Sequence, residues 1–303
     1  MNIKHSLYGL LCGTLMLASC SNDEPTAPGA QTVEASFSLN IAGEVATRAG
    51  NSNSSLNSSL GGAQNLGANK LNYILALYEV ADDNTLILSD FCQVSDRDGD
   101  GERFSPMVTL GKTYMMVALA HFGDKRNIAD ADKAEYLKAI PIENKINSEA
   151  EDFYVATKTA RFTVDNLQHA LTLKRPYAKL RIVATDWNQP AIESVTVDYG
   201  ANTLFSKFNV LTNQFFADNT TKTISASQYN DTVNASAKTI VADYFPVNAD
   251  TYLSTFKVTV TLNDNTSFSR TFNDIPLQRN ALTTLSGTFF SSQSPMKCDV
   301  TND

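Results

Sequence analysis

The first patterned run of the chain alternates apolar and polar residues. From Thr32 to Ile41 every second residue is apolar or small, and the residues between them are polar. Side chains of a strand point alternately to the two faces of a sheet, so this pattern predicts a strand with one buried face. That face consists of Val33, Ala35, Phe37, Leu39 and Ile41.

Further short apolar runs predict many more strands. Leu71–Val80 is short and rich in aliphatic and aromatic residues, which favours a central strand, and Tyr114–Ala120 is the most apolar run after the N-terminal segment. Phe256–Leu262 and Ser267–Phe272 alternate around Asn263-Asp264-Asn265 and predict a hairpin. The other predicted strands are Leu86–Leu88, Phe153–Val155, Ala160–Val164, Ala170–Leu173, Ala178–Ala184, Ile192–Tyr199, Leu204–Leu211, Thr239–Phe245 and Leu282–Phe290.

One segment has helical spacing. Residues 130–140 carry alanines and a leucine near that spacing, with acidic residues at the start and Pro141 at the end. The helix does not recur between strands, which disfavours an α/β fold. Many short strands joined by turns are typical of β-sandwiches, so we predict an all-β chain with one short helical insertion. Lys174-Arg175-Pro176 interrupts the strands and places a domain boundary near residue 174.

The N-terminus has the layout of an export signal. Lys4 precedes a mostly apolar stretch, Leu7–Leu17, which is too short to remain as a membrane span. Leu17-Ala18-Ser19-Cys20 resembles a bacterial lipobox, in which the cysteine receives a lipid and becomes the new N-terminus. We therefore predict a signal peptide over 1–19 and a lipidated segment over 20–49; an ordinary signal peptide is the alternative. Residues 50–69 are dominated by Asn, Ser and Gly and are predicted to form a flexible loop.

Charge and cysteine usage narrow the classes of function. The net charge is −8 and no run of Lys or Arg occurs, which disfavours nucleic-acid binding. Once Cys12 and Cys20 are set aside, Cys92 and Cys298 remain. Export permits a disulfide between them, but their spacing does not place them together, and two unpaired thiols are the alternative.

Candidate metal and catalytic residues are few. Asp96, Asp98 and Asp100, followed by Gly101, match the start of a calcium loop, but Met107 stands where a bidentate Glu is required. A solvated hairpin tip between the strands of Phe91 and Phe104 is therefore favoured. His121 and His169 each lack a second ligand at zinc spacing. No nucleophile elbow or phosphate-binding loop is present, and we predict a protein that is not an enzyme and needs no cofactor.

Several stretches together resemble the fimbrillin superfamily of Bacteroides-type bacteria, whose members build type V pili. The resemblance rests on five stretches. They are the lipobox followed by the acidic pair Asp23-Glu24, the strand Val33–Ile41 that runs into Val45–Ala49, and the segments Leu71–Val80, Leu173–Arg181 and Ile275–Thr284. It implies two tandem transthyretin-like β-sandwich domains. These would be an N-terminal domain over 70–174, completed by strand 33–41, and a C-terminal domain over 175–303.

The resemblance also implies a route to assembly. The subunit would reach the outer membrane through a lipid on Cys20 and then be cut by a trypsin-like surface protease between Arg48 and Ala49. The cut would release the strand with Val33, Ala35, Phe37, Leu39 and Ile41 and open a groove for β-strand addition by another fimbrial subunit. The expected location is the cell surface, and the fimbrium after processing.

Two alternatives stay open from the sequence. The chain ends soon after Phe290 with Met296, Cys298 and Val300 alternating with charged residues, a short donor strand, so the subunit could be a stalk, tip or anchor protein. A different class of function is an uncut surface lipoprotein that binds glycans for nutrient uptake. Its binding aromatics would be Trp187, Tyr199 or Tyr229, although a single tryptophan in a β-domain is more often a packing residue.

Overall fold

The computed structural model describes residues 31–41, 71–97, 102–122, 132–142, 144–147, 153–200, 205–216, 223–226, 237–249, 251–292 and 294–302. Within these ranges the chain is all-β, with one single-turn helix, α1 (Lys133–Tyr136). The strands are β1 (Thr32–Glu34), β2 (Ser36–Ile41), β3 (Leu71–Val80), β4 (Leu86–Arg97), β5 (Glu102–Phe104), β6 (Met107–Thr109), β7 (Thr113–Phe122), β8 (Ile140–Pro141), β9 (Phe153–Arg161), β10 (Gln168–Leu173), β11 (Tyr177–Ala184), β12 (Ile192–Asp198), β13 (Lys207–Asn209), β14 (Gln214–Phe216), β15 (Thr223–Ala226), β16 (Lys238–Pro246), β17 (Thr251–Leu262), β18 (Ser267–Gln278), β19 (Ala281–Gly287) and β20 (Lys297–Asn302).

The first sandwich combines an antiparallel sheet with a smaller one. The sheet β4-β3-β7-β9 faces the sheet β10-β2-β5, beside which β1 pairs with β6. The apolar side chains that fill the space between them come from both sheets and are Ala35, Phe37, Leu39, Leu71, Tyr73, Leu75, Leu77, Phe104, Val108, Tyr114, Met116, Ala118, Ala120, Tyr154, Phe162, Leu171 and Leu173.

The second sandwich packs the sheet β16-β11-β19-β20 against the sheet β15-β12-β17-β18. The predicted hairpin is confirmed as β17 and β18, in which Phe256, Val258 and Val260 point into the core while the residues between them face outward. Asp264 accepts the backbone N–H of Thr266 in the turn at 2.9 Å. Asn265 has φ of 68°, a left-handed conformation that asparagine tolerates.

A third core joins the two sandwiches. Its apolar residues come from the second face of β3, β7 and β9, from α1 and β8, and from the later strands β11, β13, β14, β16 and β19: Ile74, Ala76, Tyr78, Val117, Leu119, Leu137, Ile140, Ile142, Phe153, Val155, Tyr177, Phe208, Val210, Phe215, Tyr244 and Leu282. Because β3 is covered on both faces, its run of buried residues is continuous, which confirms the predicted central strand.

The structure corrects several predicted elements. The helix is four residues long, because Ile140 and Pro141 leave it to pair with β13. The last predicted strand ends at Gly287 and not at Phe290. The connection between Phe91 and Phe104 is not a hairpin tip, because β4 pairs with β3 in one sheet and β5 pairs with β2 in another. The all-β class is confirmed, and the division near residue 174 stays a prediction.

Candidate functional site

The predicted alternating strand lies in the interior of its sheet. β2 runs parallel to β10 on one side and antiparallel to β5 on the other, with six residues in register against β10. Ala35, Phe37 and Leu39 have no exposed surface, and Val33 and Ile41 are half-buried. The predicted buried face is therefore present, and its side chains belong to the core of the first sandwich.

The chain changes partner at Ala35, between β1 and β2. The Ala35 N–H donates to the carbonyl of Pro106 at 3.0 Å, and the Ser36 N–H donates to the carbonyl of Leu167 at 2.7 Å. β1 pairs with β6 before this point and β2 pairs with β10 and β5 after it. The backbone groups of three different strands are thus satisfied by this one segment. We call the surface that β1 and β2 cover the strand seat.

The centre of the strand seat is an aromatic pocket that holds the side chain of Phe37. The Phe37 ring stacks on the imidazole of His169 at 5.5 Å and lies 6.1 Å from the ring of Phe162. Phe162 in turn lies 4.8 Å from His169 and meets Tyr114 edge-on at 5.3 Å. These separations are in the range of favourable aromatic pairs. We call the three residues around Phe37, namely Phe162, His169 and Tyr114, the Phe37 pocket.

His169 is a buried titratable group in this pocket. It is 4% exposed, and its Nε2 has no hydrogen-bond partner within the described part of the chain. Burial lowers the pKa of His169, the ammonium of Lys158 on β9 lowers it further, and a hydrogen bond with the backbone of Asn166 acts in the opposite direction. These effects together lower the pKa of His169 and favour its neutral form.

The C-terminal strand β20 is attached in a different way. It pairs with β19 at the edge of the second sandwich, and five of its six residues are exposed. Val300 is 40% exposed, and Lys297 forms an exposed ion pair with Asp299 at 2.8 Å. β20 is thus held mainly by backbone hydrogen bonds, whereas β2 is held by buried side chains as well.

Two charged side chains fix the segment that leads to β20. The Asp186 carboxylate accepts the backbone N–H groups of Phe289, Phe290 and Ser291 at 2.8, 3.0 and 2.7 Å. Burial alone would raise the pKa of Asp186, but these hydrogen bonds outweigh it and lower the pKa. From the other side, the guanidinium of Arg270 donates to three carbonyls of the same segment, those of Thr288, Ser292 and Ser294. We call this arrangement the 288–294 clasp.

The junction between the sandwiches brings together two of the motifs that carry the family resemblance. The side chain of Asn280 accepts the N–H of Arg175 at 3.0 Å, and the N–H of Asn280 donates to the carbonyl of Tyr177 at 2.9 Å. The Arg175 guanidinium donates to the hydroxyl of Tyr154 at 2.8 Å. Sequence reasoning did not place these segments together, because neither one carries a signal for the position of the other.

The tyrosine and tryptophan of the glycan-binding alternative are packing residues. Tyr199 is wholly buried and donates its hydroxyl to the carboxylate of Asp243. Trp187 is half-buried, meets Phe290 edge-on at 5.5 Å, and has the ammonium of Lys238 4.7 Å from its ring centre. This corrects the expectation that Tyr199 is displayed for binding. Tyr229 lies outside the described residues.

Asp243 itself is a buried acid in the core of the second sandwich. Burial raises its pKa to about 6, while hydrogen bonds from Tyr199 and from the backbone N–H of Tyr244 act in the opposite direction. Burial likewise raises the pKa of Tyr199, helped by the nearby Asp243 carboxylate. The pair is an internal polar contact, with no open surface for a ligand.

The remaining predicted sites divide into those inside and outside the described ranges. Cys20, Arg48, Ala49, Asp98, Asp100 and the side chain of Asp96 lie outside the described residues. Cys92 is half-buried, Cys298 is exposed, and both thiols are free. Burial raises the pKa of Cys92 to about 11. Within the described ranges, no three His, Cys, Asp or Glu residues form a metal-binding group. No helix in the same ranges is long and apolar enough to cross a membrane.

The fold and the strand seat together define an all-β sandwich protein in which β2 contributes Phe37 and Leu39 to the core of the first sandwich. The chain belongs to the Family of unknown function (DUF6562), whose profile matches residues 25–303. No curated protein matches the chain.

Solved structures give a likeness of fold. The tip fimbrial protein Mfa3 of Porphyromonas gingivalis, with a C-terminal truncation, is similar with a TM-score of 0.52 at 8% identity over 89% of this chain and 100% of that chain. A fimbrial assembly protein of Parabacteroides distasonis has a TM-score of 0.48 at 10% identity, over 90% of this chain and 97% of that one. The fimbrial anchor protein Mfa2 of Porphyromonas gingivalis has a TM-score of 0.47 at 9% identity, over 89% of this chain and 98% of that one.

Proposed function

We propose that the protein is a subunit of a surface fimbrium with a role in adhesion, exported as a lipoprotein and assembled by β-strand addition. The observation that carries the proposal is the position of β2. β2 is an interior strand of its sheet, and its Phe37 and Leu39 side chains are fully buried. The likeness of fold to a fimbrial tip protein supports the same class.

Loss of β1 and β2 would create a groove suited to another strand. Its walls would be the backbones of β10, β5 and β6, and its floor would be the Phe37 pocket with the apolar side chains around it. Unpaired strand edges of this kind are templates for β-addition. Burying side chains equivalent to Phe37 and Leu39 again would contribute roughly 3 to 6 kcal/mol before ordering costs.

The trigger in this proposal is proteolysis of the chain between β2 and β3. A trypsin-like protease cuts between Arg48 and Ala49, which separates the strand and the lipid on Cys20 from the rest of the chain. Before the cut, the lipid delivers the subunit to the outer membrane, and β1 and β2 keep the strand seat filled. Head-to-tail addition of strands between subunits is an open arrangement and yields a filament.

The test is the N-terminus of the protein at the cell surface, determined by mass spectrometry. We expect molecules that begin at Ala49, together with ladders on gels in which this chain is joined to other fimbrial subunits. The matched control is Arg48→Gln, which should retain the lipidated Cys20 and form no polymer. If the unaltered protein carries lipidated Cys20 in every molecule, cutting and strand addition are both refuted, and an uncut lipoprotein takes their place.

A further inference from the structure

We propose that the strand seat selects its incoming strand by an aromatic side chain at the position of Phe37, and that the partner is another protein and not a second copy of this chain. The partner segment is extended and carries a small residue, an aromatic residue and an aliphatic residue at alternate positions. This inference rests on the proposed function, because it names the partner of the same groove.

The aromatic requirement follows from the walls of the Phe37 pocket. Phe162 and His169 both present rings to the side chain of Phe37, and Tyr114 supports Phe162 from behind. Phe37 has no exposed surface, so the pocket is filled. An aliphatic side chain of similar volume keeps the burial but loses both ring contacts, and a smaller one leaves a cavity as well.

The requirement for a small residue follows from the position of Ala35. This residue has no exposed surface, and its backbone N–H is tied to the carbonyl of Pro106 at 3.0 Å. A larger side chain at this point would have to displace the surrounding core, and overpacking of this kind destabilises. Leu39, also without exposed surface, sets the third position of the pattern two residues after the aromatic.

The C-terminal strand of this chain does not match the pattern. No aromatic residue occurs over 294–303, and the side chains of suitable spacing are Met296, Cys298 and Val300. The 288–294 clasp fixes the backbone up to Ser294, so within the described C-terminal segment residues 295–302 are the part that is free to leave the edge of the second sandwich. No register of this tail places an aromatic side chain where the strand seat holds Phe37, and the registers that turn its apolar face inward place Met296, Cys298 or Val300 there.

The test measures binding of labelled peptides to the full chain after it has been cut at Arg48, with fluorescence anisotropy as the readout. The peptides are residues 31–42, the same peptide with Phe37→Leu, the same with Ala35→Leu, and residues 294–303. Asn40→Ala is the matched control, because Asn40 is exposed on β2.

We expect the native and Asn40→Ala peptides to bind alike. Phe37→Leu should bind about tenfold more weakly, since each lost aromatic pair is worth roughly 2- to 12-fold, and the tail should bind more weakly still.

A variant of the pocket separates selectivity from simple loss of stability. Phe162→Leu in the protein should reduce the preference for Phe37 over Phe37→Leu in the peptide, because the ring that reads the aromatic is absent. Equal binding of the native and Phe37→Leu peptides to the unaltered protein, or binding of the tail as tight as the native strand, overturns the inference and leaves the proposed function standing. Failure of the native peptide to bind refutes strand addition itself and the selectivity with it.

Discussion

Burial of the Asp243 carboxyl should make the second sandwich more stable in mild acid than at neutral pH. Burial raises the pKa of Asp243 to about 6, above its ordinary value of 3.8. A carboxyl whose pKa is raised on folding contributes stability below its unfolded pKa and loses it as the pH rises through the folded pKa. Between about pH 7 and about pH 4.5 this linkage is worth about 2 kcal/mol of the free energy of unfolding, at 1.36 kcal/mol for each pKa unit.

The measurement is urea unfolding across this pH range, followed by the fluorescence of Trp187. The chain has a single tryptophan, and it packs against the core of the second sandwich, so its signal reports on the sandwich that contains Asp243. Asp243→Asn cannot ionise and should lose the gain of about 2 kcal/mol in acid relative to the unaltered protein. Tyr199→Phe removes a hydrogen bond that lowers the pKa of Asp243, so its gain should begin at higher pH.

The control is Asp264→Asn, in the exposed turn of the β17–β18 hairpin. Hydrogen bonds to the backbone and side chain of Thr266 lower the pKa of Asp264, so its contribution has the opposite sign and is lost as the pH falls. The reasoning would be refuted if the free energies of unfolding of the unaltered protein and of Asp243→Asn, plotted against pH, ran parallel within about 0.5 kcal/mol over the whole range.

Three further predictions concern the first sandwich and the C-terminal segment. Phe37→Ala should lower the free energy of unfolding by about 3 to 5 kcal/mol in urea titrations, while Asn40→Ala, on the exposed face of the same strand, should stay within about 0.5 kcal/mol; similar losses would contradict the buried seat. Burial lowers the pKa of His169, so the first sandwich should lose stability as the pH falls through the ordinary histidine range, and the protection of the β2 amides against hydrogen exchange, relative to the intrinsic rate at each pH, should fall there in the unaltered protein but not in His169→Leu. Asp186→Ala should speed hydrogen exchange at Phe290 and Ser291 and leave the Thr266 amide unchanged; unaltered exchange at both would show that the clasp does not hold the segment.

Local alternation predicted those elements whose environment is the same along their length. The run from Thr32 to Ile41 and the hairpin of β17 and β18 each face one core on one side, so the period of two appears directly in the sequence. The strand over Ala178–Ala184 was predicted on the same basis, and its apolar face does lie in the second core. Its other face was not predicted: Lys179 is fully buried and Arg181 nearly so, although both are charged.

The misjudged elements depend on contacts between distant parts of the chain. Helical spacing over residues 130–140 was interrupted because β13, more than sixty residues later, pairs with Ile140 and Pro141. The strand predicted over Leu282–Phe290 is too long, because the backbone N–H groups of Phe289 and Phe290 donate to the Asp186 carboxylate and not to a neighbouring strand. The Phe37 pocket could be anticipated only in part, since the sequence indicated that Phe37 is buried without indicating that His169 lies beside it in register.

The parallel pairing of β2 with β10 has a mechanical consequence. A strand that occupies this position and is pulled along its own axis loads its six residue pairs in shear, so several hydrogen bonds must break at once. β20, by contrast, is an edge strand with little buried side-chain surface, and a force that lifts its free end can open the bonds one after another. Under tension, a strand in the position of β2 would resist separation from its sheet, while β20 would separate from β19 at low force.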